Sequence, residues 1–285
     1  MFKKIKAKTK KRIWFLILGL ILLFILQAYI LPVSSVLGKK LFRYIPLPAM
    51  FVNSKVVTLG EYFTRFDVSE EVKKTKLSTE QKELLINQLV LNKIAYSLLF
   101  AKGVTVSSKD VDSAYTLLKE TTQKSELAKE YKLSESQFKD WFVYPDVVKT
   151  KLSVWLASNR KLNKDAFSKY DLIMSKLDSG SGFDDVAIAY SEDALSAQLG
   201  GDLGYVSYKD LIPEYFREIE SAKDTKVHTV YSRYGIHIFK VLASDSKGPK
   251  DSKRYKVQQI FIKTGDFEQW LAAQKSSYTI LRLVR

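Results

Sequence analysis

The side chains that could do chemistry in this chain are few, and most of them lie in one segment. The sequence contains no cysteine and only two histidines, His228 and His237. Structural disulfides, thiolate metal sites and a lipidated cysteine are therefore excluded, as is a multi-histidine metal site. Between residues 183 and 243 the candidates are Asp193, His237 and the glycine pair Gly200-Gly201. We expect no metal and no cofactor.

Four short motifs follow one another within this segment. They are Phe183–Asp193 (FDDVAIAYSED), Gly200–Tyr205 (GGDLGY), Leu211–Tyr215 (LIPEY) and Tyr234–Val241 (YGIHIFKV). A glycine pair alone would be an ordinary turn into a strand, because glycine readily adopts positive φ. In this order and at this spacing, the four motifs resemble the parvulin-type (rotamase) peptidyl-prolyl cis-trans isomerases.

The resemblance implies a pocket for the substrate. Leu203, Leu211 and Tyr215 fall where the family builds the apolar pocket that holds the substrate proline ring. Ser232 and Tyr234, near the start of the last motif, are also predicted to bind substrate. The alternative for the three apolar residues is plain core packing.

The resemblance also implies two polar positions in the site. Asp193 falls where the family places an acidic or thiol side chain beside the rotating amide; the alternative is a solvated acid at a helix end. His237 falls where parvulins place a histidine in a hydrogen-bond network beneath the pocket, and its alternative is a structural role. His228 matches no family position and is expected at the surface.

One element of the family pattern is displaced. A parvulin domain normally begins with a strand whose histidine partners the later one, but residues 163–177 read as a helix. Residues 255–264 (YKVQQIFIKT) resemble the opening strand instead, with Gln259 in the place of the histidine. We hypothesise that the module is circularly permuted and that Gln259 joins Asp193 and His237 in the catalytic set. Glutamine hydrogen-bonds but does not titrate, so weak or absent isomerase activity is one expectation.

The implied reaction breaks no covalent bond. Rotation about an Xaa-Pro bond crosses a barrier of about 18–20 kcal/mol and takes tens to hundreds of seconds. The twisted amide loses resonance, so its carbonyl is less dipolar than in the planar ground state. An apolar pocket that dehydrates the carbonyl favours the twist, and hydrogen-bond donors near the proline nitrogen favour it further.

The N-terminal segment reads as a membrane anchor. Residues 1–12 contain seven basic residues and no acid, and residues 13–31 are an uncharged, largely apolar run. As a helix this run would span about 28 Å, close to the hydrocarbon thickness of a bilayer. The basic flank predicts an N-terminus inside, with the rest of the chain extracytoplasmic. The alternative is a cleaved signal peptide, whose apolar region is usually shorter.

Three capped helical stretches are predicted before the isomerase motifs. Their start, stop and bend signals are Ser78, Gly103, Ser107, Ser134 and Pro145. Together with the segments AKGVTVSSKDVD and LSESQFK, this order resembles the N-terminal domain of SurA-type chaperones. Residues 266–285 read as a helix and a strand, and resemble the piece that completes this domain by pairing near Val56–Leu59.

We therefore predict an α+β chain in which a membrane helix precedes a helical chaperone domain and a parvulin-like antiparallel sheet flanked by helices. The predicted parts are a basic tail (1–12), a transmembrane helix (13–31), a linker (32–50), a chaperone domain (51–162, completed by 266–285) and a parvulin-like domain (163–264). Seven positive charges of the net +15 lie in residues 1–12, so the rest of the chain is only mildly basic, and no basic stripe at helical spacing predicts nucleic-acid binding.

The predicted function is that of a SurA/PrsA-like foldase at the outer face of the cytoplasmic membrane. Its partners would be unfolded or extended exported polypeptides with Xaa-Pro bonds. The first alternative is a holdase with a weak or inactive parvulin fold, which Gln259 favours. The second is an anchored scaffold for one specific partner, for which no sequence feature speaks.

Overall fold

The computed structural model describes residues 46–124, 126–222, 224–245 and 253–284, together with Gly19, and it has a mixed α+β architecture. The helices are α1 (Leu59–Lys73), α2 (Thr79–Ala101), α3 (Ser108–Thr122), α4 (Leu127–Glu130), α5 (Glu135–Phe138), α6 (Tyr144–Ala157), α7 (Lys164–Asp178), α8 (Phe183–Tyr190), α9 (Pro213–Ser221) and α10 (Phe267–Gln274). The strands are β1 (Pro48–Val52), β2 (Lys55–Thr58), β3 (Asp202–Val206), β4 (His228–Ser232), β5 (Gly235–Asp245), β6 (Arg254–Lys263) and β7 (Ile280–Arg282).

The predicted tail 1–12, the predicted anchor 13–31 apart from Gly19, and most of the linker 32–50 lie outside the described residues. Within the described ranges, α2 is the helix long and apolar enough to cross a membrane by length and composition. A core helix meets the same criteria, and α2 buries Leu89 and Ile94 and pairs Lys93 with the buried Glu61.

The chain packs into two compact units. The first contains the described residues up to Ser97, Lys129–Leu133 and the described residues from Lys275 onward, and the second contains Leu98–Ala128 and Ser134–Gln274. The two units are groups of residues that pack together, and they do not by themselves define evolutionary domains. The predicted domain boundaries at 162/163 and 264/266 therefore stay predictions.

The sheet of the first unit has the antiparallel order β2–β1–β7. The turn at Asn53-Ser54 joins β1 and β2 in a hairpin, since Val52 pairs with Lys55 across it. The predicted pairing of the C-terminal strand near Val56–Leu59 is wrong, because β7 pairs with β1. The reason is burial: β1 is mostly buried and takes the inner position, whereas β2 exposes Val56 and suits an edge.

Two of the predicted helix starts in the second unit, Ser107 and Ser134, are confirmed as N-caps. Ser107 caps α3 in a reciprocal pair with Asp110, and Ser134 caps α5 in the same way with Gln137. The predicted bend at Pro145 is a change of helix type, since a π-helical turn (Lys139–Val143) ends just before α6. Pro145 lies in the first turn of α6, directly after the π-helical turn.

The sheet of the second unit is antiparallel with the order β3–β6–β5–β4. The strand predicted at 255–264 is present as β6 and takes an inner position between β3 and β5. Its register places His237 opposite Phe261, and Phe239 opposite Gln259.

Alternation along β5 and β6 divides this sheet into two buried faces. One face packs against α7 and α8 through Ile236, Ile238, Ile260, Ile262, Phe167, Phe183 and Val186. The other packs against α9 through Phe239, Val241, Tyr255, Val257, Tyr215, Phe216 and Ile219. Because successive side chains of a strand point to opposite faces, His237 and Gln259 lie on the α9 face.

Two close approaches position the segments around β6. Gly201 has φ +80°, and a Cβ there would lie 2.3 Å from the carbonyl oxygen of Gln259, so this contact requires glycine. Buried Asn163, just before α7, donates to the carbonyl oxygens of Leu156 and Asn159, and its Oδ1 accepts from the Gly265 N–H at 2.9 Å. Asn163 therefore joins the start of α7 to the residue just beyond β6.

The helix that carries Tyr215, α9, begins without a side-chain cap. Ser207 and Asp210 bond to each other within a turn, and the N-cap of α9 is Ile212, which forms no side-chain cap. Pro213 occupies the first position of α9, where its fixed φ suits the helix and its missing N–H would have no intrahelical partner.

Candidate functional site

Asp193, His237 and Gln259 come together on the α9 face of the sheet, although they are distant in sequence. Asp193 follows α8 in a loop whose preceding residues pair with β6: Phe261 N–H donates to Ser191 Oγ, and Glu192 N–H donates to the Phe261 carbonyl. This pairing continues the sheet beyond the end of β3 and brings the Asp193 carboxylate beside Gln259.

These side chains form one continuous hydrogen-bonded network. Gln259 Nε2 donates to Asp193 Oδ2 at 2.7 Å, and Gln259 Oε1 lies 3.1 Å from His237 Nδ1. Ser232 Oγ lies 2.8 Å from His237 Nε2 and accepts from the N–H of Tyr234 at 3.1 Å. Ser196 Oγ donates to Asp193 Oδ2 at 2.6 Å. All these distances are within hydrogen-bonding range.

The charge of Asp193 fixes the direction of every bond in this network. An ionised carboxylate only accepts, so Gln259 presents its amide nitrogen to Asp193 and its oxygen to His237. His237 must then carry its proton on Nδ1, and its Nε2 must accept from the hydroxyl of Ser232. The imidazole is thereby held in one neutral tautomer.

The protonation states agree with this direction. Burial lowers the pKa of His237 to about 4, against smaller opposing effects of the Gln259 hydrogen bond and the Asp193 charge. Burial alone would raise the pKa of Asp193, but hydrogen bonds from Ser196, Gln259 and backbone N–H groups outweigh it and lower that pKa. Near pH 7 the site therefore holds an anionic aspartate and a neutral histidine.

Two aromatic rings complete the surroundings of His237. The imidazole centroid lies 4.5 Å from the ring of Tyr215 and 4.8 Å from that of Phe261. His237 and Gln259 are each only 7% exposed. The network is thus shielded from bulk water, which strengthens its electrostatic interactions.

A cavity of about 640 Å³ opens over this network, all within the second unit. Its floor includes Asp193, His237 and Gln259. Its walls come from α6, from the turn between β4 and β5, and from the end of β6 and the residues after it; they include Asp146, Lys149, Thr150, Ser153, Arg233, Tyr234, Phe261, Lys263, Asp266, Phe267 and Glu268. This volume is in the usual range for a ligand site.

The predicted substrate-binding residues fall into two groups. Tyr234 lines the cavity with 57% of its surface exposed, and Ser232 lies beneath it in the network. Leu203, Leu211 and Tyr215 share one apolar cluster on the same sheet face, with the two leucines only partly buried. None of these three lines the cavity, although Tyr215 touches His237 in its floor.

Several residues of the site escaped prediction. Phe261 had a usable signal, since it lies two positions after Gln259 on the same face of one strand. Ser196, three residues after Asp193, had the spacing of a local side-chain turn. The wall from α6 had no signal, because nothing local predicts that Thr150 accepts from Arg233 at 2.6 Å across 83 residues.

The arrangement suits binding and electrostatic stabilisation more than covalent chemistry. The Ser232 hydroxyl is bonded to His237, but Ser232 is fully buried and the lowered pKa of His237 makes the imidazole a weak base, so Ser232 does not fit the role of an activated nucleophile. Among the described residues, no cluster of His, Asp and Glu side chains could hold a metal ion. What the site offers is a dry apolar cluster beside a directed row of hydrogen bonds.

Residues 115–245 match the family described as PPIC-type PPIASE domain. The matched residues include Asp193 and His237 and end before β6, so Gln259 lies outside them. Chaperone SurA of Legionella pneumophila is 37% identical over 97 residues, which are 34% of this chain and 22% of the relative. Chaperone SurA of Nitrosospira multiformis is 32% identical over 112 residues, 38% of this chain and 25% of the relative. The chain thus spans about a quarter or less of these curated relatives.

Two solved structures are also similar to the chain. Peptidylprolyl isomerase PrsA from Bacillus anthracis aligns over 68% of this chain and 86% of its own, with 17% identity and a TM-score of 0.22. Foldase protein PrsA from Streptococcus pneumoniae aligns over 79% of this chain and 82% of its own, with 11% identity and a TM-score of 0.23.

Proposed function

We propose that the protein is an extracytoplasmic foldase, anchored in the membrane, that isomerises Xaa-Pro bonds, because residues 115–245 match the PPIC-type PPIase (parvulin) family. Its substrates are unfolded or extended segments of exported polypeptides, which it also holds as a chaperone. The proposal takes Asp193, His237 and Gln259 as the catalytic set. Leu203, Leu211, Tyr215, Ser232 and Tyr234 are the substrate-binding residues.

The observation that carries this proposal is the network Asp193–Gln259–His237–Ser232 in the floor of a cavity, beside an apolar cluster. The cluster has two partly buried leucines, Leu203 and Leu211, against which a proline ring can pack, with Tyr215 buried behind them. The network adds fixed dipoles beside that ring without a group that titrates near pH 7.

The proposed mechanism uses desolvation and fixed dipoles. The carbonyl before the proline leaves water when the ring enters the apolar cluster, and this destabilises the dipolar planar amide more than the twisted one. The neutral His237 and the directed hydrogen bonds need no reorganisation as the amide turns. Each 1.36 kcal/mol of such preference gives about a tenfold increase in rate.

An isomerase assay on a chain that begins at residue 46 tests the proposal. We expect exchange between cis and trans forms of a proline peptide to be faster than the uncatalysed rate. Asp193→Ala should remove most of that acceleration, because Gln259 and Ser196 lose their common acceptor. The matched control is Asp224→Ala, which removes a surface acid outside the cavity.

The alternative is a holdase without catalysis, which the glutamine at 259 favours. Suppressed aggregation of an unfolded client, with no acceleration of proline exchange, would select it. Binding of a single native partner, with no binding of unfolded clients, would select the anchored scaffold instead. Fast exchange with loss in Asp193→Ala would retain the isomerase.

The circular permutation belongs to the same proposal. It is supported by the inner position of β6 between β3 and β5 and by the contact of Gln259 with His237. The strand that the family places first is here supplied after β5, through a connection that starts beyond Asp245 and ends before Arg254.

The proposed location rests on the sequence of residues 1–31, with the N-terminus inside and the folded part outside. Fractionation of cells that make the full chain should recover it with membranes. Protease added to the outside of spheroplasts should digest the folded part. Recovery in a soluble fraction without residues 1–31 would instead indicate a cleaved signal peptide.

A further inference from the structure

Helix α6 presents a polar stripe to the cavity above the proposed catalytic set. The four residues of α6 that line the cavity are three or four positions apart, so they share one face of the helix: Asp146, Lys149, Thr150 and Ser153. The packing of α6 depends on another face, which is apolar and buried through Val148, Leu152 and Leu156. Packing of the helix therefore does not account for the polar stripe.

Three residues of this stripe already have a local role. Thr150 Oγ1 accepts from Arg233 at 2.6 Å, and Ser153 Oγ donates to the carbonyl oxygen of Thr150 at 2.8 Å. Asp146 lies in the first turn of α6, where a negative charge suits the positive end of the helix dipole. Lys149 lies beyond that turn, and none of these reasons applies to it.

Lys149 is the donor of α6 that remains available to a ligand. The residue is half-buried and lines the cavity. Within the described ranges, its ammonium group forms no ion pair and no hydrogen bond. An ammonium has three donors and no acceptor, and hydrogen bonds to a charged group are among the stronger ones in proteins. An acceptor that enters the cavity therefore has a donor waiting on this wall.

The charges around the cavity indicate which kind of acceptor this is. Cations and acids line the cavity in nearly equal number: Lys149, Arg233 and Lys263 against Asp146, Asp193, Asp266 and Glu268. The cavity as a whole therefore selects neither a strongly acidic nor a strongly basic ligand. An uncharged acceptor that every extended peptide carries is the main-chain carbonyl, which is not used up by a helix or a sheet there.

The size of the cavity leaves room for such a peptide. Its volume of about 640 Å³ is that of a site for a drug-sized ligand, which is much larger than a proline ring. Asp193, His237 and Gln259 lie in the floor of the same cavity. A peptide with its proline at this floor can therefore extend its neighbouring residues along the wall that α6 forms.

We propose that Lys149 is a substrate-binding residue whose ammonium group donates a hydrogen bond to a main-chain carbonyl of the peptide beside the proline. This inference rests on the proposed function and extends its site from the sheet to α6. A contact with the main chain gives affinity for an extended segment whatever its side chains are. That is the property a site for unfolded polypeptides needs.

This contact does not involve the rotating bond, so it is equally strong with the planar and the twisted amide. Its loss should raise KM and leave kcat unchanged, because it stabilises the bound substrate and the transition state equally. A lysine needed for the fold would lower the midpoint of thermal unfolding or kcat. A lysine that only faced water would change none of these quantities.

The test compares two uncharged peptides on the chain that begins at residue 46. The short one is acetyl-Ala-Pro-amide, and the long one is the same dipeptide with three serines added on each side. NMR titration gives Kd, and NMR exchange gives kcat and KM. In the parent, the long peptide should bind on the order of tenfold more tightly than the short one. Lys149→Met, which keeps most of the aliphatic stem, should lose most of this gain without changing kcat.

The matched control is Lys164→Met, which removes an exposed lysine of α7 that does not line the cavity. It should bind both peptides as the parent does. A third probe is the long peptide with glutamate in place of the alanine. If Lys149→Met weakens only this glutamate form, Lys149 recognises a carboxylate and the inference is overturned.

Other results separate this inference from the proposed function. A parent that binds both peptides equally, or an unchanged Kd of the long peptide in Lys149→Met, would overturn the inference and leave the isomerase standing. A parent that binds the peptides without accelerating exchange would overturn the isomerase, and the ratio of the two Kd values would still decide the role of Lys149. A parent that binds neither peptide would overturn both.

Discussion

Gln259 gives the hydrogen-bonded network a direction that a histidine would not. A histidine offers a donor and an acceptor that exchange with its tautomer, and it adds a proton near neutral pH. An amide has its oxygen and nitrogen in fixed places, and the nitrogen is committed to Asp193. Compared with a histidine at this position, Gln259 therefore does more than remove a titratable group. It selects the tautomer of His237.

The first prediction concerns this tautomer. In the parent chain at pH 7, His237 should be neutral with its proton on Nδ1. Asp193→Asn removes the carboxylate that orients the Gln259 amide, so the Gln259 oxygen is no longer held toward His237 and the tautomers should mix. Long-range ¹H–¹⁵N NMR spectra distinguish protonated from unprotonated ring nitrogens. A parent spectrum with the proton on Nε2 would contradict the assigned direction.

The second prediction concerns stability in acid. His237 has a pKa near 6.5 when unfolded and about 4 in the fold, so between these values the unfolded chain binds more protons. Stability contributed by neutral His237 is complete above pH 6.5 and is lost as the pH falls toward 4. The loss should be roughly 2–3 kcal/mol between pH 7.5 and 4.5, measured by denaturant unfolding.

NMR titration supplies the check on that assignment. The imidazole of His237 should titrate near pH 4 in the folded chain, and the acid slope should persist in a His228→Gln variant. If His237 titrates near pH 6.5 in the folded chain, the loss of stability in acid does not come from this histidine.

Sequence motifs located the residues of the site better than they described their state. Asp193, His237 and Gln259 were found because each stands in a short recognisable segment. The burial of Tyr215 and the contact with α6 depend on long-range packing, which no local pattern encodes. The catalytic roles of Asp193, His237 and Gln259 stay predictions.

At the scale of elements, the turn through Gly201 fits the Asp193 loop against β6. Its carbonyl accepts from the N–H of Gln259 at 2.8 Å, and its Cα lies so close that a side chain has no room. The glycine pair was visible in the sequence as a turn signal. Its partner on β6 was not, because that strand comes more than fifty residues later.

The third prediction compares two glycines with positive φ. Gly201→Ala should destabilise the fold by about 3 kcal/mol or more, because its backbone angle and a clash with the Gln259 carbonyl both oppose a side chain. Gly180→Ala, with φ +91° and open space around its Cα, should cost only about 1–2 kcal/mol. Denaturant unfolding measures both.

The isomerase activity of the two glycine variants shows whether Gly201 positions the Asp193 loop or only stabilises the fold. Gly201→Ala should also lose activity under conditions where it remains folded, whereas Gly180→Ala should keep it. Equal effects of the two substitutions would mean that Gly201 does not position the Asp193 loop.

Elements whose signals are local were predictable, and elements that depend on a distant partner were not. Reciprocal caps at Ser107 and Ser134 need only residues three positions apart, and both form as expected. The partner of β7 depends on which distant strand is buried, and there the expectation failed. The start of α9 is a third case, since Pro213 at the first helical position marks it and no side chain caps it.

At the scale of the molecule, β6 supplies buried residues to both faces of the four-stranded sheet. Tyr255 and Val257 lie in one apolar cluster, and Ile260 and Ile262 lie in the other. Residues 163–245 alone therefore lack part of each core.

The fourth prediction follows from this division. A rearranged chain that runs 253–264, a linker of about four residues, then 163–245 should fold, because Gly265 and Asn163 are within hydrogen-bonding distance. Residues 163–245 without the strand should not fold. Far-ultraviolet circular dichroism and amide dispersion in NMR spectra would compare the two. A folded chain without β6 would remove the basis for the permutation.

The bond between Asn163 and Gly265 closes a circuit of 102 residues. The chain therefore leaves the end of α6 and returns close to the same place before α10 begins. The entropic cost of closing a loop grows only with the logarithm of its length. Residues can therefore be added to or removed from the segment between Asn163 and Gly265 with little effect on the stability of the flanking helices. A module inserted in this way between α6 and α10 can vary in size, because the hydrogen bond from the Gly265 N–H to Asn163 still joins the two flanking segments.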